Sequence, residues 1–347
     1  MVVLAAACAQ VETEDRAIAF QVASHVTSLT KADDYTVDYA AVPFGAYAWY
    51  KGESPADDAD FMTNEEVGYY AISDSWTTTT TTYYWPRSGA LDFICYSPYS
   101  VSGPAVTEDR ITWSNWSVSD NPDVDLMYAT KAAGLKAPSS TYYRNGVPTL
   151  FHHALAQVAF NLKLAYHEKV VSETDKTRWK VTIHSMTLKN LHTTGSLVLN
   201  LGEDGKTWVV PATWTPTGTA TEMALDCSGL PEEISDETLR PLGGTTLVLP
   251  QPLDDANYVD MEMTIITEQD RGEGYQPFLR ESHVHVGGAL ATTALPAWGI
   301  NQRITYTLIL APSLPTDKDG VLVPTEVRFD PAVEGWQEVT LNMNINI

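Results

Sequence analysis

The stretch from Pro148 to Tyr166, PTLFHHALAQVAFNLKLAY, constrains the fold more than any other. Over its second half Val158, Phe160, Leu162, Leu164 and Tyr166 alternate with Ala159, Asn161, Lys163 and Ala165. A period of two places the apolar set on one face of a strand and the small or polar set on the other. Such a segment belongs in a sheet with one face against a core. Much of the remaining chain repeats the pattern. Tyr258 to Thr267 sets Val259, Met261, Met263 and Ile265 on one face, and Ala17 to Thr27 sets Ile18, Phe20 and Val22 on one face. Leu91 to Ser97, LDFICYS, is a continuous apolar run suited to a core strand. Trp179 to Leu188, Thr245 to Pro250, Ser282 to Val286 and Arg303 to Ala311 read as further strands, with a hairpin turn at Gly202 to Gly205. Six threonines, Thr77 to Thr82, stand between Trp76 and Tyr83-Tyr84-Trp85, which favours an edge strand over a linker.

Pattern alone therefore predicts an all-β chain, an antiparallel sandwich or barrel. Its 347 residues suit two domains better than one small sandwich. His167 to Arg178, HEKVVSETDKTR, is the most charged central stretch and marks the expected junction. The expected division is a leader over 1–15, an N-terminal β-sandwich over 16–166 and a C-terminal one over 167–347.

Charge and chemistry exclude several classes. With 44 Asp plus Glu against 21 Lys plus Arg, the net charge of -23 repels nucleic-acid phosphates. No run of eighteen apolar residues is present to form a membrane-spanning helix. There is no Gly-rich phosphate loop, no G-x-S-x-G and no H-E-x-x-H, so neither a catalytic residue nor a cofactor is expected. Carboxylates are numerous enough that some pair will match a glycosidase spacing by number alone, which ranks a lipid-anchored hydrolase last. His152 and His153 are adjacent and point to opposite faces of a strand; His283 and His285 share a face but fall short of a ligand set. Asp317 to Gly320 reads as a turn rather than a calcium loop, so no metal site is expected. Of the three cysteines, Cys95 reads as a buried small hydrophobe, and a Cys95–Cys227 disulfide would need close Cα atoms. Met1 to Cys8, MVVLAAAC, is similar to the end of a bacterial lipoprotein signal, which makes Cys8 the expected site of lipidation.

Several short motifs occur in a fixed order: Tyr84-Trp85-Pro86, Leu91-Asp92-Phe93, Pro98, Asp125-Leu126-Met127-Tyr128-Ala129, Phe151-His152-His153-Ala154-Leu155, and the segment Phe329 to Trp336. In that order, and with the Cys8 signal, the chain resembles the fimbrillin family of Bacteroidota, the subunits and accessory proteins of cell-surface fimbriae. The resemblance implies transthyretin-like Greek-key sandwiches and export as an outer-membrane lipoprotein. It also implies maturation by a trypsin-like protease that removes an N-terminal segment including the first strand. Carried over, the cut would follow Lys31 or, less well placed, Arg16; the family's maturation favours Arg, from which Lys31 departs.

Loss of one strand leaves an apolar groove beside unpaired backbone, a template for another strand. The chain ends in TLNMNINI, where Leu341, Met343, Ile345 and Ile347 alternate with Thr340, Asn342, Asn344 and Asn346. This is the expected donor strand. One groove and one donor per subunit build a head-to-tail polymer that does not close. The expected function is thus a structural subunit of cell-surface fimbriae that supports adhesion. Its partners would be other fimbrial subunits and the maturation protease. The alternative is a fimbrial tip or accessory adhesin binding glycan or host protein through exposed aromatics such as Trp113, Trp116 and Trp298.

Overall fold

The computed structural model describes residues 17–23, 42–72, 75–100, 102–136, 146–210, 213–226, 233–276, 280–311, 325–328 and 337–346. Among the described residues twenty-two strands run in chain order: β1 (Phe20–Ala23), β2 (Phe44–Lys51), β3 (Ala59–Tyr70), β4 (Ser75–Thr78), β5 (Ala90–Ser97), β6 (Ala105–Thr107), β7 (Arg110–Ser117), β8 (Met127–Ala129), β9 (Ala132–Leu135), β10 (Val147–His153) and β11 (Ala156–Leu164), then β12 (Glu168–Ser172), β13 (Asp175–Leu191), β14 (Thr194–Asn200), β15 (Trp214–Pro216), β16 (Thr221–Ala224), β17 (Arg240–Val248), β18 (Tyr258–Asp270), β19 (Arg280–Ala289), β20 (Gln302–Ala311), β21 (Thr325–Arg328) and β22 (Gln337–Asn346). Among the described residues there is no α-helix, so the all-β expectation holds.

The chain divides into two compact units, but not at a single point. The first takes the described residues within 1–24, 38–101 and 129–151; the second takes those within 102–128 and 152–347. The division thus falls at several crossings rather than at 166/167. The physical reason is long-range pairing. β11 pairs with β17 and β20 far downstream, and β7 pairs with β14, so both belong with the later part of the chain.

In the first unit the strands follow the order β2-β3-β4-β1-β10-β8-β5-β9, and β2 also pairs with β5. The hydrogen-bonded path therefore closes on itself, which removes free edges from the strands inside the ring. The β2–β5 register runs from Gly45↔Tyr96 to Lys51↔Ala90. Every residue of β5 is buried. Inside the ring lie Phe44, Ala46, Ala48, Met62, Val67, Leu91, Phe93, Cys95 and Val147, with Phe61, Trp76, Tyr83, Trp85 and Phe151 packed against them. The threonine run departs from expectation. Only Thr77 and Thr78 lie in a strand, and β4 sits between β3 and β1 rather than at an edge.

The described residues of the second unit form three sheets, ordered β17-β11-β20-β22-β21, then β12-β13-β18-β19 with β16 on β13, and β15-β14-β7-β6. Its core follows the period-two faces read from the sequence. Val158, Phe160, Leu162 and Leu164 of β11 join Ile304, Tyr306, Leu308 and Leu310 of β20, together with Trp179 and Val181 of β13 and Val259, Met261, Met263 and Ile265 of β18. Phe160 stacks on Tyr306 at 5.2 Å with planes 15° apart. The buried Tyr306 hydroxyl accepts from Trp298 Nε1 (2.9 Å) and donates to the Leu290 carbonyl (3.1 Å).

Candidate assembly site

The site is built around β1. Residues Ala17 to Ala23 are extended because Ile18 and Phe20, two apart, both turn into the ring, where each is 3% exposed. Backbone bonds anchor the segment on two sides: Ile18 N–H donates to the Tyr83 carbonyl (2.8 Å), and Val147 N–H donates to the Ala19 carbonyl (2.7 Å). β1 runs parallel to β10, with Phe20↔Val147, Gln21↔Pro148, Val22↔Thr149 and Ala23↔Leu150. It runs antiparallel to β4, with Phe20 facing Trp76.

The sequence of β10 is fitted to this neighbour. Gly146, just before β10, has φ +86, and a Cβ there would stand 2.8 Å from the Ala19 carbonyl oxygen and the Phe20 carbonyl carbon. No side chain fits in that gap, so glycine is what allows the two backbones to approach. Phe20 meets Phe44 edge-to-face at 5.5 Å and Phe93 at 5.8 Å. Phe44 in turn contacts Trp76 and Phe151, and Phe93 contacts Trp85. One side chain of β1 thus completes a cluster of aromatic rings drawn from five other segments.

β22, in the second unit, is the other strand that the sequence reading singled out. It pairs in parallel with β20 over ten positions, including Leu341↔Tyr306, Met343↔Leu308 and Ile345↔Leu310. β21 flanks it on the other side, antiparallel. Within this chain the tail is therefore hydrogen-bonded on both edges. Ile347, Arg16, Lys31 and Cys8 lie outside the described residues, as do Cys227, Asp317 to Gly320 and the segment 329–336.

Two of the sequence motifs meet in space. His153 Nδ1, from the Phe151 to Leu155 motif, lies 2.5 Å from Oδ2 of Asp125, which opens the Asp125 to Ala129 motif. Ala154 N–H donates to the Leu126 carbonyl at 2.7 Å. The His152 ring contacts Tyr128 at 5.5 Å, so the adjacent histidines diverge as their spacing requires. His283 and His285 share an exposed face; His283 Nδ1 is 2.9 Å from Thr264 Oγ1 and His285 Nδ1 is 3.6 Å from Asp260. Among the described residues no group of three or more metal-ligating side chains converges.

The aromatic residues expected to face a ligand are mostly interior. Trp113 is 4% exposed and Trp298 is 2% exposed, and only Trp116 is partly accessible. Their apolar area is used in the core, so neither Trp113 nor Trp298 is available at the surface. A partly exposed pair that the sequence reading missed is Tyr47 and Trp49 on β2, whose rings lie 6.2 Å apart with planes at 13°. Their i, i+2 spacing on a strand was the available signal.

A fimbrillin-like family model matches residues 30–336. Among solved structures, a candidate cell adhesion protein from Bacteroides uniformis is 18% identical, with 96% of this chain and 98% of that chain covered and a TM-score of 0.47. The tip fimbrial protein Mfa3 from Porphyromonas gingivalis, with a C-terminal truncation, is 9% identical over 88% of this chain and 93% of that one, with a TM-score of 0.34. A fimbrial protein from Bacteroides ovatus is 11% identical over 94% of this chain and 54% of that one, with a TM-score of 0.31. Among curated protein sequences there is no significant match.

Proposed function

Because the chain belongs to the fimbrillin-like family, we propose that it is a structural subunit of cell-surface fimbriae that polymerises by strand donation after its first strand is removed. The observation that carries this reading is the place of β1 in a closed ring. Excising β1 leaves β4 and β10 with unpaired backbone groups along facing edges and uncovers the aromatic cluster that Phe20 completes. A strand from a neighbour restores both. Each ladder hydrogen bond contributes about 1 kcal/mol net, and each buried aliphatic side chain ~1.5–3 kcal/mol. Ordering a free tail subtracts from that sum.

In this reading a trypsin-like protease cuts after Lys31, because a cut after Arg16 would leave β1 on the chain, and the tail carrying Leu341, Met343, Ile345 and Ile347 is the donor. Lipid on Cys8 carries the unprocessed chain to the outer membrane and leaves with the excised segment. The tail must quit its own β20 to be donated, so intact subunits are stored as monomers. An accessory or tip adhesin is the second reading. The partly exposed Tyr47 and Trp49 pair supports it, while burial of Trp113 and Trp298 leaves Trp116 as the partly accessible one of the three tryptophans it first named.

The test is to treat the purified chain with a trypsin-like protease and follow it by mass spectrometry and electron microscopy. A new N-terminus at Ala32 together with filaments is expected; filaments from a chain that begins at Ala17, and so keeps β1, overturn strand removal. A processed chain that stays monomeric at high concentration overturns the proposal. Deleting 340–347 should abolish filaments while leaving the monomer folded.

A further inference from the structure

The groove left by β1 has a direction and a register, and both can be read from its walls. Resting on the assembly reading above, we infer that the tail of a second copy enters parallel to β10 and seats Met343 where Phe20 now stands, with Leu341 in the place of Ile18 and Asn344 opposite Pro148.

The direction follows from the neighbours. β1 makes a parallel ladder with β10 and an antiparallel one with β4. Parallel ladders have slanted, evenly spaced bonds, whereas antiparallel ladders have perpendicular bonds in alternating pairs. A strand of opposite sense would exchange the two patterns on both walls at once. A strand of the same sense keeps Val147 N–H, which now donates to Ala19, in a usable position. The missing N–H of Pro148 falls on the other side of β10, so it costs the incoming strand nothing.

The register follows from the pockets. Positions 18 and 20 face inward, so an occupant needs apolar side chains two residues apart, and a one-residue slip would turn asparagines into the core. Four such registers are open to the alternating tail, with Leu341, Met343, Ile345 or Ile347 at the Phe20 site. The Phe20 site is walled by the rings of Phe44 and Phe93 at 5.5 and 5.8 Å. Methionine is the tail residue that suits it: unbranched, polarisable, and favourable against ring edges. Ile345 is stiff at χ1. Placing Met343 there also centres the tail, with Leu341 before and Ile345 after.

Covalent trapping in filaments of the processed full-length chain tests this. Pro148→Cys is combined in turn with Asn342→Cys, Asn344→Cys and Asn346→Cys, and Leu150→Cys with Asn346→Cys and with Asn342→Cys. Pro148 is exposed, so its replacement leaves the core intact. After mild oxidation, non-reducing electrophoresis and peptide mapping should show an intersubunit ladder for 344 with 148 and for 346 with 150, and loss of that ladder for the other pairs. A dominant ladder from 342 or 346 with 148, or from 342 with 150, overturns the register or the direction while leaving strand donation standing. Filaments with no link from any pair place the tail elsewhere and overturn the inference. Failure of the processed wild-type chain to form filaments removes the underlying reading as well.

Discussion

Lys131 Nζ lies 3.1 Å from Asp92 Oδ2, and the two side chains are only 5% and 11% exposed. The other carboxylate oxygen accepts from Gly134 N–H at 2.6 Å. Gly134, at φ +69, supplies a backbone turn that most side chains would resist. The pair ties the β8–β9 junction to β5 on the outer side of the ring. Removing one partner of a buried pair costs more than removing both, because the survivor stays desolvated. Lys131→Met should lower unfolding stability by ~3–5 kcal/mol in urea titrations, and adding Asp92→Leu should recover most of the loss.

Phe20 is the keystone of the ring. Phe20→Ala removes a buried ring and two edge-to-face contacts, and leaves a cavity beside Phe44 and Phe93. The expected cost is about 3–5 kcal/mol, seen as a lower urea midpoint for the first unit. Substituting the exposed Pro148 of β10 should change the midpoint little.

Cys95 is 2% exposed within the ring, and burial pushes its thiol pKa up. The thiolate is the reactive form, so the folded chain should leave Cys95 unmodified by a thiol reagent at neutral pH. Rapid labelling of Cys95 before unfolding, detected by peptide mapping, would contradict this placement.

Asp204 holds the turn between β14 and Trp208. It accepts from Lys206 N–H and Thr207 N–H at 2.9 Å each and from the Thr207 hydroxyl at 2.6 Å. The Thr207 hydroxyl first, then the two N–H groups, lowers its pKa from 3.8 to about 2. A depressed folded value means that the contribution is present above the unfolded pKa and is lost as pH falls through about 2. The Tm difference between wild type and Asp204→Ala should therefore be largest near neutral pH and shrink between about pH 4 and pH 2.

The net charge of -23 opposes association of like copies. Raising salt shortens the Debye length to about 10 Å at 0.1 M. Light scattering of the processed chain should show filament growth accelerating severalfold between ~10 mM and ~150 mM salt. A rate that falls with salt would point to attraction between opposite charges at the joint.

Strand content was readable in the sequence because side-chain alternation is local. Val158 to Leu164 and Val259 to Ile265 needed only their own spacing to reveal an inner and an outer face, and the structure buries those faces. The alternating tail was readable for the same reason. So was the order of motifs, although not that Asp125 and His153 would meet.

Pairing is a different matter, since hydrogen-bonding edges carry no side-chain signature. Nothing in residues 17–23 says that they run parallel to 147–150, or that β22 lies against β20 rather than free. Ring closure through β2 and β5, burial of Trp113 and Trp298, and the interleaved units likewise come from contacts between residues far apart in the chain. By itself the sequence determined the inward face of the alternating strands, such as Val158 to Leu164 and Val259 to Ile265, and that the chain would be built of strands. Tertiary structure alone decided which strand neighbours which, because burial energy depends on a residue's own chemistry while pairing depends on the partner that geometry brings to its edge.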